Sequence, residues 1–299
     1  MTLGLKVLIL GYGEMGHAME FLIQAPHQVS IWQRHPPADA PPLNLQTAVA
    51  QSDVILFCLP VVAHVDALTM IQPHLKPTTL CASIAKGLHE DGCTAAQLFQ
   101  NYLPEDQAIA LIYGPMISEE IRANRYAFAQ VGTTQKNYET IKQVFAQSKL
   151  LLQKSDDIIG ISWSVILKNV YALVFGMADE LQLGDNMRGY LAVAALRELD
   201  EIVIRMGGQR GSPYHLAGLG DLITTATSED SHHHELGRRL ARGESENIRG
   251  EGIHTLAMVK QYSLIDLTWF PLFKTIDDIV QQASSAQSTL DRFLQQSMQ

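Results

Sequence analysis

The run KVLILGYGEMGHAMEFLIQ, Lys6–Gln24, sets the architecture of the chain. Lys6–Leu10 are strand formers, and His17–Gln24 carries a helical pattern. Between them lies a Gly-x-Gly-x-x-Gly turn built on Gly11, Gly13 and Gly16. A strand, this turn and a helix in direct succession point to dinucleotide binding, because each glycine has a task. Gly11 makes the tight turn, Gly13 lets backbone approach a pyrophosphate, and Gly16 lets the helix pack on the strand. The helix N-terminus then offers unpaired N–H groups to the anion, with Glu14 and Met15 beside it as further cofactor contacts.

Working outward, Gln28–Trp32 reads as a second strand. An NAD-selective site usually has Asp or Glu at the end of that strand, but here Gln33, Arg34 and His35 follow. A cation suits a 2′-phosphate, so Arg34 favours NADP, with NAD as the other cofactor in view. Pro36–Pro42 is a proline-rich loop. Helix and strand then alternate: Leu45–Gln51 helical, Asp53–Pro60 a buried strand, His64–Leu75 helical, and Thr79–Ile84 a strand ending at Ala85-Lys86-Gly87-Leu88. Ala108–Tyr113 is a strand ending at Gly114-Pro115, Ala127–Val131 adds another, and a helix at Asn137–Gln147 leads to a strand at Leu150–Gln153. This alternation predicts a mostly parallel, doubly wound sheet. Ligands in such sheets lie beyond the carboxyl ends of the strands, where Lys86 and Gly114 fall.

From about Asp156 the strand signals fade. ISWSVILKNVYALVFGMADEL, Ile161–Leu181, is apolar on nearly all sides yet holds Lys168 and Asn169 at its middle. Its length would suit a membrane span, but a central lysine is costly in a bilayer. The segment therefore reads as the central helix of a folded domain. A lysine there either pairs with a carboxylate or sits at a cleft, where it can trade a proton. Tyr190–Met206 is a second, amphipathic helix. The turn Gly218-Leu-Gly-Asp221 enters another helix, with Asp221 in a cap or first-turn position. Ser231, His232, His233 and His234 follow. Adjacent histidines lack the i, i+4 spacing of a helical metal site, so no metal is expected. A last helical segment begins at Glu251-Gly252 and is interrupted at Phe270-Pro271-Leu272. The fold class expected is α/β: an N-terminal Rossmann-type doubly wound sheet over residues 1–155 and an all-α C-terminal domain over residues 156–299.

Composition bounds the function. The 299 residues are 46% hydrophobic and 18% charged, the balance of a well-buried protein. A net charge of −9 argues against nucleic acid and anionic membrane surfaces as partners. Cys58, Cys81 and Cys93 form no CxxC pair and suit a reducing, cytoplasmic setting.

GYGEMG, Ala85-Lys86-Gly87-Leu88, Gly114-Pro115, Leu167–Val170, GLGDLITT at 218–225 and Glu251-Gly252 occur in order, and together they resemble the bacterial-type NAD(P)-dependent glycerol-3-phosphate dehydrogenase family. The resemblance spans Lys6 to about Leu272. It implies hydride transfer between NAD(P)H and dihydroxyacetone phosphate to give sn-glycerol 3-phosphate, the backbone of phospholipids. It implies that Lys168 is the general acid/base, that Lys86 touches substrate and cofactor, and that Asp221 and Asn169 complete the catalytic group. It further implies that Gly114 and Ser231 contact substrate, with His232 and His233 expected on the substrate's phosphate side, and that Ser118, Glu251 and Arg34 contact the cofactor. A phosphorylated small-molecule substrate follows in the same way, and a homodimer is expected because helical C-terminal domains of this kind commonly pair.

The chain departs from the family in three places. His232-His233 stand where the family has Arg-Asn gripping phosphate, Met116 stands where Ser or Thr follows Gly-Pro, and the stretch between Asp185-Asn186 and Arg197 is about one helical turn longer. An arginine is charged at every working pH, whereas a histidine is only partly so near neutrality. Two other readings stay open: a reductase of the same architecture for a small keto or hydroxy acid, and an NADP-binding sensor without catalysis.

Overall fold

Seven strands pair side by side in the order β2-β1-β3-β4-β5-β6-β7. They are β1 (Lys6–Leu10), β2 (Gln28–Trp32), β3 (Val54–Phe57), β4 (Leu80–Ser83), β5 (Ile109–Tyr113), β6 (Ala127–Gly132) and β7 (Leu150–Ser155). Every neighbouring pair is parallel except β5–β6. All residues of β3 and β4 are buried, which is why they read as unbroken apolar runs rather than alternations. The chain is described from a computed structural model, over residues 4–37, 43–228, 231–244, 246–282 and 286–297. The proline-rich loop expected at Pro36–Pro42 therefore lies outside the described residues from position 38 onward.

Helices α1 (Glu14–Leu22), α2 (Leu45–Gln51), α3 (His64–Ile71), α4 (Ala95–Tyr102), α5 (Ser118–Arg122) and α6 (Gln135–Val144) connect the strands. The helical pattern expected to reach Leu75 stops at Ile71 because Pro73 forces a short 3₁₀ turn, Gln72–His74. Neither α4 nor α5 was expected. Thr94 opens α4 with a full capping box, its hydroxyl accepting from Gln97 N while the Gln97 side chain accepts from Thr94 N.

Among the described residues, the regular elements of the rest of the chain are helical: α7 (Ile158–Glu180), α8 (Gly184–Arg205), α9 (Asp221–Thr227), α10 (His232–Ala241), α11 (Glu251–Gln261), α12 (Pro271–Gln282) and α13 (Ala286–Ser297). The chain divides into two compact units, Met1–His89 with Cys93–Ile158, and Glu90–Gly92 with Ile159–Gln299. Each has its own core. In the first, Val7, Ile9, Val54, Leu56, Ala82 and Ile112 pack beneath α1 and its neighbours. In the second, every residue of α7 from Gly160 to Ala178 is buried. By length and composition α7 would pass as a membrane span, and 89% of its most apolar window is buried within the protein. Pro271 begins α12 instead of breaking a longer helix, since a proline at the first helical position gives up only an N–H that has no partner there.

α10 lies unusually close to α7. A Cβ on Gly176 would stand 1.9 Å from His234 O, and one on Gly237 would stand 2.0 Å from Leu173 O, so glycine is required on both sides of the crossing.

Candidate functional site

In the nucleotide-type unit, β1 runs straight into the glycine turn. Gly11 takes φ +93°, and its N–H donates to Trp32 O at 2.8 Å. A Cβ on Gly16 would meet Gly11 O at 2.3 Å, whereas a Cβ on Gly13 would meet nothing within 4 Å. The turn is thus tight where helix meets strand and open at Gly13, where a pyrophosphate needs room. This geometry fits a dinucleotide. Met15 packs against the sheet core, while Glu14, the first residue of α1, is ion-paired with Arg122 of α5. Arg34 pairs with Asp66 of α3 at 2.7 Å, with both side chains more than half exposed.

At the carboxyl ends of β4 and β5, Lys86 Nζ donates to Gly114 O at 3.2 Å. The fold thus brings together these two residues, which are 28 apart in sequence. A buried residue with no role in the sequence analysis supports this turn. His64 is fully buried, with one ring nitrogen 3.1 Å from Pro60 O and the other 2.9 Å from Ser83 Oγ. Since a carbonyl only accepts, Nδ1 carries the proton and Nε2 accepts from the Ser83 hydroxyl. Ser83 Oγ in turn accepts from Ala85 N at 3.1 Å, next to Lys86. Ser118 opens α5, and its hydroxyl donates to Glu119 at 2.8 Å. Met116 is buried in the core cluster.

In the helical unit, Lys168 is 4% exposed and Asp221 is 3% exposed. Lys168 Nζ stands 3.1 Å from Asp221 Oδ2 and donates to Thr225 Oγ1 at 2.6 Å. Thr225 Oγ1 donates to Asp221 O at 2.7 Å, which fixes the rotor so that its lone pairs face the ammonium. Asp221 is the first residue of α9, entered through a π-helical turn at Leu216–Gly220. The carboxylate compensates an ammonium that the interior of α7 would otherwise leave stranded. Thr225 was not singled out in the sequence. The signal was its i, i+4 spacing from Asp221, which puts both side chains on one helix face.

The neighbouring residues are tied to this group through α10 and α11. Asn169 Nδ2 donates to Glu251 Oε2 at 3.0 Å. Ser231 caps α10, its hydroxyl accepting from His234 N at 3.3 Å. The three histidines diverge. His232 Nε2 donates to Arg249 O at 2.9 Å, His233 Nε2 accepts from Gly252 N at 3.2 Å, and His234 Nε2 lies 2.7 Å from Asp179 Oδ2. His233 holds that bond only with Nε2 unprotonated. Asp179 also receives both arms of Arg188; burial works to raise its carboxyl, but bonds from Arg188 and His234 hold it below the usual range. Cys58, Cys81 and Cys93 are free thiols, and burial pushes Cys81 up to about 12.

Two family models match: the NAD-dependent glycerol-3-phosphate dehydrogenase N-terminus over residues 40–139 and its C-terminus over residues 157–291. The glycerol-3-phosphate dehydrogenase (NAD(P)+) of Acaryochloris marina is 29% identical, with 96% of this chain and 94% of that protein covered. The protein of the same name from Synechocystis is 30% identical, with 84% and 80% covered. A solved glycerol-3-phosphate dehydrogenase from Coxiella burnetii has the same fold, with a TM-score of 0.85 at 23% identity over 98% of this chain and 99% of that one.

Proposed function

This chain belongs to the NAD(P)-dependent glycerol-3-phosphate dehydrogenase family, and we propose that it interconverts dihydroxyacetone phosphate and sn-glycerol 3-phosphate with Lys168 as the proton donor and acceptor. The observation that carries the assignment is the buried group of Lys168, Asp221 and Thr225. When bound, the dinucleotide supplies or takes the hydride. Hydride arrival at a ketone carbon builds negative charge on its oxygen, and a positioned ammonium gives that oxygen a proton. Asp221 and Thr225 hold Nζ in one place, so the donor needs little reorganisation as the charge develops. Asn169, fixed by Glu251, lies next to Lys168 in sequence and orients the same substrate.

The unit carrying the glycine turn is read as the dinucleotide-binding domain and the helical unit as the substrate and catalytic domain. Gly11, Gly13, Met15, Gly16, Arg34, Lys86, Ser118, Glu251 and the backbone of Glu14 at the start of α1 are assigned to the cofactor, and Lys86, Gly114, Ser231, His232 and His233 to the substrate. The α10 N-terminus supports the phosphate assignment, because the first-turn N–H groups of a helix attract an anion and His232 and His233 stand in that turn. The product feeds phospholipid synthesis. The free thiols suit the cytoplasm, and the exposed side chains of Val193 and Ile223 suit a homodimer, which sedimentation would test.

The experiment is dihydroxyacetone-phosphate-dependent oxidation of NADPH and NADH by the wild type and Lys168→Ala. Turnover should fall by roughly 10²–10⁴-fold, while cofactor affinity stays within about twofold. A variant within about threefold of wild type removes Lys168 from the chemistry. NADPH preference is assigned to Arg34. Arg34→Asp should move kcat/KM toward NADH, and an unchanged ratio would reject the assignment.

A further inference from the structure

Glu14 puts a carboxylate at the N-terminus of α1, one residue after the open backbone of Gly13. A helix dipole favours an acid there. A dinucleotide pyrophosphate would occupy the same neighbourhood with two negative charges of its own. Unscreened, the carboxylate would oppose it.

The screen comes from elsewhere in the chain. Arg122, the last residue of α5, donates from a terminal guanidinium nitrogen to Glu14 Oε2 at 2.5 Å, across 108 residues of sequence. The side chains are 41% and 65% exposed, respectively. A pair that open to water adds little to stability. Its backbone frame is nonetheless firm, because Ile121 is buried in the same core cluster as Ala18 and Met19 of α1. Arg122 is thus held where it cancels the one carboxylate of the glycine turn.

We propose that Arg122 sets affinity for the dinucleotide by neutralising Glu14, so that the pair acts as an electrostatic gate for the pyrophosphate. The inference rests on the assignment of this unit to the cofactor. It requires no contact between Arg122 and the phosphates.

The test is calorimetric binding of ADP-ribose, with adenosine as a phosphate-free probe, at about 0.02 M and about 0.5 M salt. Arg122→Ala should weaken ADP-ribose binding by about three- to tenfold at low salt, the scale of one like charge a few ångströms away in a wet site. The deficit should shrink at high salt, and adenosine should bind unchanged. Glu14→Gln should bind ADP-ribose at least as tightly as wild type. Because Coulomb terms add, Glu14→Gln combined with Arg122→Ala should return ADP-ribose affinity to within about twofold of wild type, weaker than Glu14→Gln alone. An Arg122→Ala protein with wild-type affinity overturns the proposal. So does a double variant as weak as Arg122→Ala, which would mean that the Glu14 charge does not act on the pyrophosphate. Wild-type protein that binds no ADP-ribose overturns the cofactor assignment underneath it, a different failure.

Discussion

His64 is fully buried between the ends of β3 and β4, and burial pushes its imidazole down to about 4, with a bond to Pro60 opposing that shift. The folded value lies below that of the unfolded chain, so between about pH 6.5 and 4 the unfolded state binds the extra proton. The stabilisation is complete above about pH 6.5 and is lost as pH falls toward 4, by up to about 3 kcal/mol. His64→Phe should lower stability at pH 7.5 by about 1–3 kcal/mol, because Ser83 loses its acceptor. It should also flatten the acid loss. Urea unfolding at pH 7.5, 5.5 and 4.5 checks both effects, and parallel pH profiles for variant and wild type would assign the acid sensitivity to another group. His64 was not legible in advance, since one histidine in an apolar stretch carries no spacing signal. Lys168 was legible because a charge inside an apolar helix demands a partner. Its hydroxyl partner, Thr225, shares a helix face with Asp221 by its i, i+4 spacing, and the packing of α9 on α7 brings that face to Lys168.

Helix packing separates two glycines that look alike in sequence. Gly237 lies in α10 where a Cβ would stand 2.0 Å from Leu173 O, a backbone atom that cannot move aside. Gly189 lies inside α8 with nothing within 4 Å of its would-be Cβ. Gly237→Ala should therefore destabilise by about 1–3 kcal/mol or more, as overpacking does. Gly189→Ala should stabilise by about 0.5–1 kcal/mol, since alanine loses less conformational freedom in a helix. Thermal unfolding of the two variants decides, and shifts of the same sign would mean that the α7–α10 crossing is not the constraint. β2 and α2 were legible to the residue, because each is bounded by residues that stop its period. The antiparallel β5–β6 pair was not, since strand direction depends on how the chain returns to the sheet. α4 was missed although Thr94 and Gln97 spell a capping box, and α5 is too short to show a period.

The alternation of strand and helix gives way to helices alone because two separate cores are being built, one around the sheet and one around α7. The Gly-x-Gly-x-x-Gly turn announced the first core, and the apolar run through Lys168 announced the second. A ligand that binds only the glycine turn should stabilise only the unit that holds it. At 100 times its Kd, ADP-ribose would add about 2.7 kcal/mol to that unit by mass action. The helical unit gains nothing from it directly. Calorimetry with rising ADP-ribose should therefore split the endotherm, with one component climbing as the logarithm of ligand concentration and the other staying in place. Trp163 and Trp269 belong to the helical unit and Trp32 to the other, so emission dominated by that pair should track the stationary component. A single endotherm that moves as a whole, with calorimetric and van't Hoff enthalpies equal, would mean that the two cores unfold as one cooperative system.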